Sequence, residues 1–112
     1  MPDAQAGTPP TISTHVLDTE GGKPAAGVPV ALYKLGEDDR PIRLTQALTD
    51  DGGRVRDLLG RPMSPGTYRL ELRPDGPFFR RISVDFQVED VSRSYHVPLL
   101  LAPYSLTTYR GS

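Results

Sequence analysis

Thr67, Tyr68, Arg69, Leu70, Glu71, Leu72, Arg73 and, a short way on, Arg81, Ile82, Ser83, Val84, Asp85, Phe86, Gln87, Val88, Glu89 decide the fold class. In both runs apolar residues alternate with polar ones. A period of two sends successive side chains to opposite faces of a sheet, so each run reads as a half-buried antiparallel strand. Val28–Leu35, Ile12–Leu17 and Tyr104–Arg110 are likewise rich in β-branched or aromatic residues, and Arg43–Leu48 and Arg54–Leu58 are shorter candidates of the same kind. Turn chemistry separates these runs at Gly21-Gly22, Asp51-Gly52-Gly53, Pro65-Gly66 and Asp75-Gly76-Pro77, where positive or fixed φ is supplied. With 11 Gly and 12 Pro there is little room for a long helix. The expectation is an all-β antiparallel sandwich of seven or eight strands. Tyr95–Leu101 also alternates, but Pro98 inside it has no N–H for a ladder, which predicts an edge position or a bulge.

Composition bounds the rest. The 112 residues make one domain, expected over residues 11–112, with no internal repeat. The Pro/Ala/Gly-rich run at residues 1–10 has neither a basic nor an apolar signal region and is expected to be a floppy, untargeted tail. No stretch approaches membrane-spanning length, so no membrane is expected as a partner. Thirteen basic and 14 acidic residues leave a net charge of −1 with no block of either sign, so no nucleic acid is expected either. Zero cysteines remove disulfides and thiolate metal sites; stability must come from packing or oligomerisation, and a cytoplasmic location is expected.

The chemistry-bearing residues are few. His15 and His96 are the two histidines, both in predicted strands. Either alone reads as a half-buried imidazole with one nitrogen satisfied. Tyr109, Arg110, Gly111 and Ser112 form a second cluster: a phenol, a guanidinium, a glycine that permits close approach and a hydroxyl. Nothing has metal-ligand spacing, so no metal and no cofactor are expected. Cysteine is absent, and a Ser/His/Asp arrangement could be assembled only by choosing freely among the serines.

Ile12, Ser13, Thr14, His15, Val16, Leu17, Asp18 at one end, His96 between, and Tyr109, Arg110, Gly111, Ser112 at the other together resemble the 5-hydroxyisourate hydrolases, the enzyme branch of the transthyretin-related family. The resemblance covers nearly the whole chain from Thr11. It implies a transthyretin-like (prealbumin-like) sandwich and hydrolysis of 5-hydroxyisourate in urate degradation. It also implies a homotetramer with active sites at the subunit interface. His15, Arg54 and His96 fall at the family's catalytic positions, with Arg56 the runner-up to Arg54, while Tyr109, Arg110, Gly111 and Ser112 are implied substrate contacts. Imidazole suits this chemistry, because its pKa of about 6.5 lets it take a proton from water near neutral pH.

The chain departs from the family at three points. Ser94 stands where a further histidine is usual, Arg80 where a proline is common, and the segment Arg73–Phe79 is shortened, so the family's one short helix is expected to be reduced or absent. The alternative from another class is a transthyretin-like small-ligand carrier without catalysis. A carrier has no need of His15, His96 and the terminal group together.

Overall fold

The computed structural model describes residues 9–111; Ser112 and most of the expected N-terminal tail lie outside them. Nine strands follow in order: β1 (Ile12–Asp18), β2 (Lys23–Pro24), β3 (Pro29–Leu35), β4 (Pro41–Leu48), β5 (Arg54–Val55), β6 (Gly66–Leu72), β7 (Ile82–Val88), β8 (Tyr95–Ala102) and β9 (Ser105–Thr108). One sheet runs β4-β3-β6-β7 and the other β2-β1-β8-β9, with β5 sharing an edge of β1 with β2. The described residues contain no α-helix, and hence none long and apolar enough to cross a membrane. Residues 73–81, where the short helix is reduced or absent by expectation, are bends and irregular chain.

The core lies where the alternating faces meet. Ile12 and Val16 of β1, Leu32 of β3, Leu70 and Leu72 of β6 and Leu99 of β8 are wholly buried. Full burial of such a side chain contributes about 1.5–3 kcal/mol. Tyr68 is buried too, with its hydroxyl donating to the Ser64 carbonyl oxygen at 2.8 Å, so its polar tip carries no desolvation penalty.

Three sequence expectations are revised in detail. The sandwich is mostly antiparallel, but β1 and β8 pair in parallel, from Ile12 opposite Tyr95 to Asp18 opposite Leu101. Parallel neighbours distant in the chain leave no turn signature between them. Pro98 lies on neither an edge nor a bulge: β8 is central, between β1 and β9. Its carbonyl accepts from Thr108 Oγ1 at 2.9 Å on the β9 side, and the missing N–H falls on that same side, where the β8–β9 ladder stops at Leu99 opposite Thr108. The strand expected over Arg54–Leu58 keeps only Arg54 and Val55, because Leu58 and Leu59 turn inward to close the core.

Candidate active site

The outer face of the β1/β8 sheet gathers residues far apart in the chain. On β1 the inward side chains are Ile12, Thr14 and Val16, which leaves Ser13, His15 and Leu17 outward. On β8 the inward set is Tyr95, Val97 and Leu99, which leaves His96, Pro98 and Leu100 outward. The parallel register sets Ser13 beside His96, His15 beside Pro98 and Leu17 beside Leu100. From the other edge, β5 places Arg54 opposite His15. Three sequence-predicted residues, His15, Arg54 and His96, thus share one face of one sheet.

Arg54 owes its position to the preceding turn. The Asp50 carboxylate accepts the N–H groups of Gly52 and Arg54, both at 2.9 Å, and the Asp50 N–H donates to the Arg54 carbonyl at 2.9 Å. The Arg54 amide, the Gly52 amide and the neighbouring Arg56 and Arg54 charges hold the exposed Asp50 carboxyl below its usual pKa, with some desolvation opposing them. Gly53 is obligatory here. It sits at φ +76°, and a Cβ would come 2.3 Å from the Val16 carbonyl oxygen, so no side chain can stand between the turn and β1. Arg54 and Arg56 emerge beside Ser13, Thr14 and His96 around a cleft of 260 Å3. Both the sequence candidate and its runner-up therefore line the same space.

His96 is held on both edges. Its Nδ1 lies 2.8 Å from Ser13 Oγ, while a Cβ added at Gly111 would fall 2.6 Å from its Cδ2 and 3.3 Å from Pro98 Cδ. Nδ1 and Cδ2 are the two atoms that flank Cγ, so one ring edge is bonded to Ser13 and the other faces Gly111 with no room for a side chain between them. Gly111 is fixed in turn by its N–H donating to the His96 carbonyl at 2.8 Å, which carries the β9 register past Thr108. Burial first, then the charges of His15 and Arg54, push the His96 imidazole below its ordinary pKa. The shift favours the neutral imidazole near neutral pH.

Tyr109 is exposed and falls opposite Pro98 in the continued register. Arg110 points elsewhere. Its guanidinium stacks 4.4 Å over the ring of Tyr95, on the inward side, where a 340 Å3 cleft between the sheets is walled by Tyr109, Arg110, Phe86 and part of His96. His96 therefore borders two clefts, one with the Arg54–Arg56 pair and one with Arg110. Ser112 lies outside the described residues.

Sequence reasoning missed two partners. Ser13 as the neighbour of His96 depends on the β1/β8 register, which no local signal encodes. Tyr95 carries Arg110 on its ring, and its hydroxyl is tied to the 89–90 backbone, accepting from Asp90 N and donating to Asp90 O, both at 3.1 Å. Ser94, at the position of the family's extra histidine, serves the fold instead, since its Oγ accepts the Thr11 N–H at 3.0 Å where the β1/β8 ladder begins.

Comparison with known proteins follows the same outline. The HIUase/Transthyretin family model matches residues 12–111. The chain belongs to this family. A relative from Halalkalibacterium halodurans, a 5-hydroxyisourate hydrolase, is 42% identical, the match covering 90% of this chain and 97% of that protein. The solved 5-hydroxyisourate hydrolase of Klebsiella pneumoniae superposes with a TM-score of 0.78 at 34% identity over 91% of this chain and 99% of that one. Sea bream transthyretin in complex with thyroxine superposes at 0.81, with 26% identity over 88% of this chain and 92% of that one. The fold is thus common to hydrolases and a thyroxine-bound transthyretin, and residues on it must separate the two.

Proposed function

We propose that this protein is a 5-hydroxyisourate hydrolase, converting 5-hydroxyisourate to 2-oxo-4-hydroxy-4-carboxy-5-ureidoimidazoline in urate degradation. The observation that carries the reading is the register that sets His15, Arg54 and His96 on one outer face, with Arg54 and His96 lining one cleft. A hormone carrier of the same fold needs no such group.

The His96 ring, in the wall of the cleft, takes a proton from water as the water oxygen attacks a ring carbonyl, and His15 assists or orients that step. The Arg54 guanidinium, always charged and donor-only, stabilises the oxyanion that grows on the carbonyl; Arg56 stands beside it. The ring carbon–nitrogen bond then breaks, and the departing nitrogen receives the proton His96 holds. Neither metal nor cofactor enters these steps. Tyr109, Gly111 and Ser112 are proposed to shape the pocket. Arg110 is proposed to contact substrate from the Tyr95 side of His96 or on leaving the Tyr95 ring.

The proposal extends to a homotetramer with the sites between subunits. Leu17 and Leu100 lie side by side on the same outer face as the histidines, an apolar surround that a second copy would cover. A cytoplasmic location belongs to the same reading, and a chain without cysteine is at home there. The test is the near-ultraviolet decay of 5-hydroxyisourate generated from urate in situ. Micromolar protein is expected to accelerate it; an unchanged decay rate would sink the assignment.

A further inference from the structure

We infer that Ser13 is the positioning residue of His96: its hydroxyl accepts the Nδ1–H proton and so presents the Nε2 lone pair to the Arg54 cleft. This rests on the hydrolase reading for its catalytic meaning, though not for its geometry. The contact is 2.8 Å, and among the described residues Ser13 Oγ has no other hydrogen-bond partner. A serine hydroxyl can donate or accept, so the direction must come from the surroundings.

Those surroundings favour Nδ1–H. The other nitrogen sits at the ring tip, away from Ser13 Oγ, and the cleft that His96 lines is also lined by Arg54 and Arg56. Guanidinium has only donors. A lone pair on Nε2 is attracted to that cleft, whereas an N–H on Nε2 would face like-signed charge, so the proton belongs on Nδ1 and Ser13 takes its hydrogen bond. Ring reversal is no escape, since it would set a carbon against Ser13 Oγ and a nitrogen against Gly111. The register supplies the rigidity: Thr14 Oγ1, on the adjacent residue, donates to the Val97 carbonyl at 2.7 Å and pins β1 to β8 beside the pair.

A serine differs from the carboxylate that orients many catalytic histidines. It fixes the tautomer without adding negative charge, so it favours the imidazolium far less than a carboxylate would while holding the ring to one orientation.

The deciding experiment is nitrogen-15 correlation spectroscopy of histidine-labelled protein at neutral pH. Protonated Nδ1 and unprotonated Nε2 on His96 are expected in the wild type; the opposite tautomer would overturn the inference. Ser13→Ala is expected to lose that bias and to lower kcat about tenfold with KM little changed, while Ser13→Thr, which keeps the hydroxyl, restores kcat to within about threefold. Full kcat in Ser13→Ala would equally overturn it. Should Ser13→Ala fail to fold, the wild-type spectrum and Ser13→Thr still decide. The spectrum needs no turnover, so wild-type protein inert toward 5-hydroxyisourate would overturn the hydrolase reading while the tautomer is decided separately.

Discussion

Gly111→Ala adds a single methyl group at a position the structure leaves no room for. The new Cβ would lie 2.6 Å from His96 Cδ2, whereas carbon atoms rest at about 3.5–4.0 Å, so something must give by roughly 1 Å. The ring cannot slide away, because its opposite edge is already 2.8 Å from Ser13 Oγ. The backbone there cannot simply lift, because the Gly111 N–H is bound to the His96 carbonyl, and the new Cβ would also lie 3.3 Å from Pro98 Cδ. The cheapest response is rotation of the imidazole off the Ser13 hydrogen bond. A misplacement near 1 Å in a catalytic group lowers turnover on the order of a hundredfold. Stability should barely change, since Gly111 is outside the buried core and its backbone is not left-handed. The assay is kcat from 5-hydroxyisourate decay, with a thermal melt in parallel. A variant that melts like wild type and keeps kcat within about twofold would refute the idea that Gly111 sets the His96 ring.

The acid limb of kcat/KM is expected below about pH 6.5, since burial, His15 and Arg54 lower the His96 pKa in the folded protein; a midpoint at or above that value contradicts it. The same shift has a sign for stability: the unfolded chain binds the His96 proton more readily, so this group destabilises the fold as pH falls through about 6.5 and has no effect well above it, which urea titrations at several pH values can check. Leu70→Ala, at a wholly buried centre of β6, should lower unfolding free energy by about 2–5 kcal/mol in the same titrations, and a loss under about 1 kcal/mol would place Leu70 outside the core. A strong chelator should leave turnover unchanged, and inhibition by it would overturn the metal-free mechanism.

Much of the fold was legible because half-buried strands write a period of two. Tyr68–Leu72 and Ile82–Val88 emerged as β6 and β7 with their inward residues correctly sided. The sequence also showed the turn before Arg54, since Gly53 has a conformation and a close approach that only glycine meets. What stayed hidden was pairing between distant segments. Nothing local says that β1 runs parallel to β8, and this one register makes Ser13 the neighbour of His96 and puts Pro98 in the middle of a sheet. Pro98 reads as an edge residue on the general rule, yet β9 loses its ladder at that level and the missing donor goes unused. The terminal residues were legible as a cluster but not as a geometry: alternation along the extended β9 register sends Gly111 to His96 and Arg110 to Tyr95 on the other side.

The outer-face imidazole of His96 is the proposed seat of the hydrolysis. The direct measurement is turnover of freshly made 5-hydroxyisourate by wild type and by His96→Ala at equal concentration, with circular dichroism confirming that both are folded. Rapid decay with the wild type and a rate roughly a hundredfold or more lower with the variant is the expected result. Equal rates from two folded proteins would contradict it and move the chemistry away from His96.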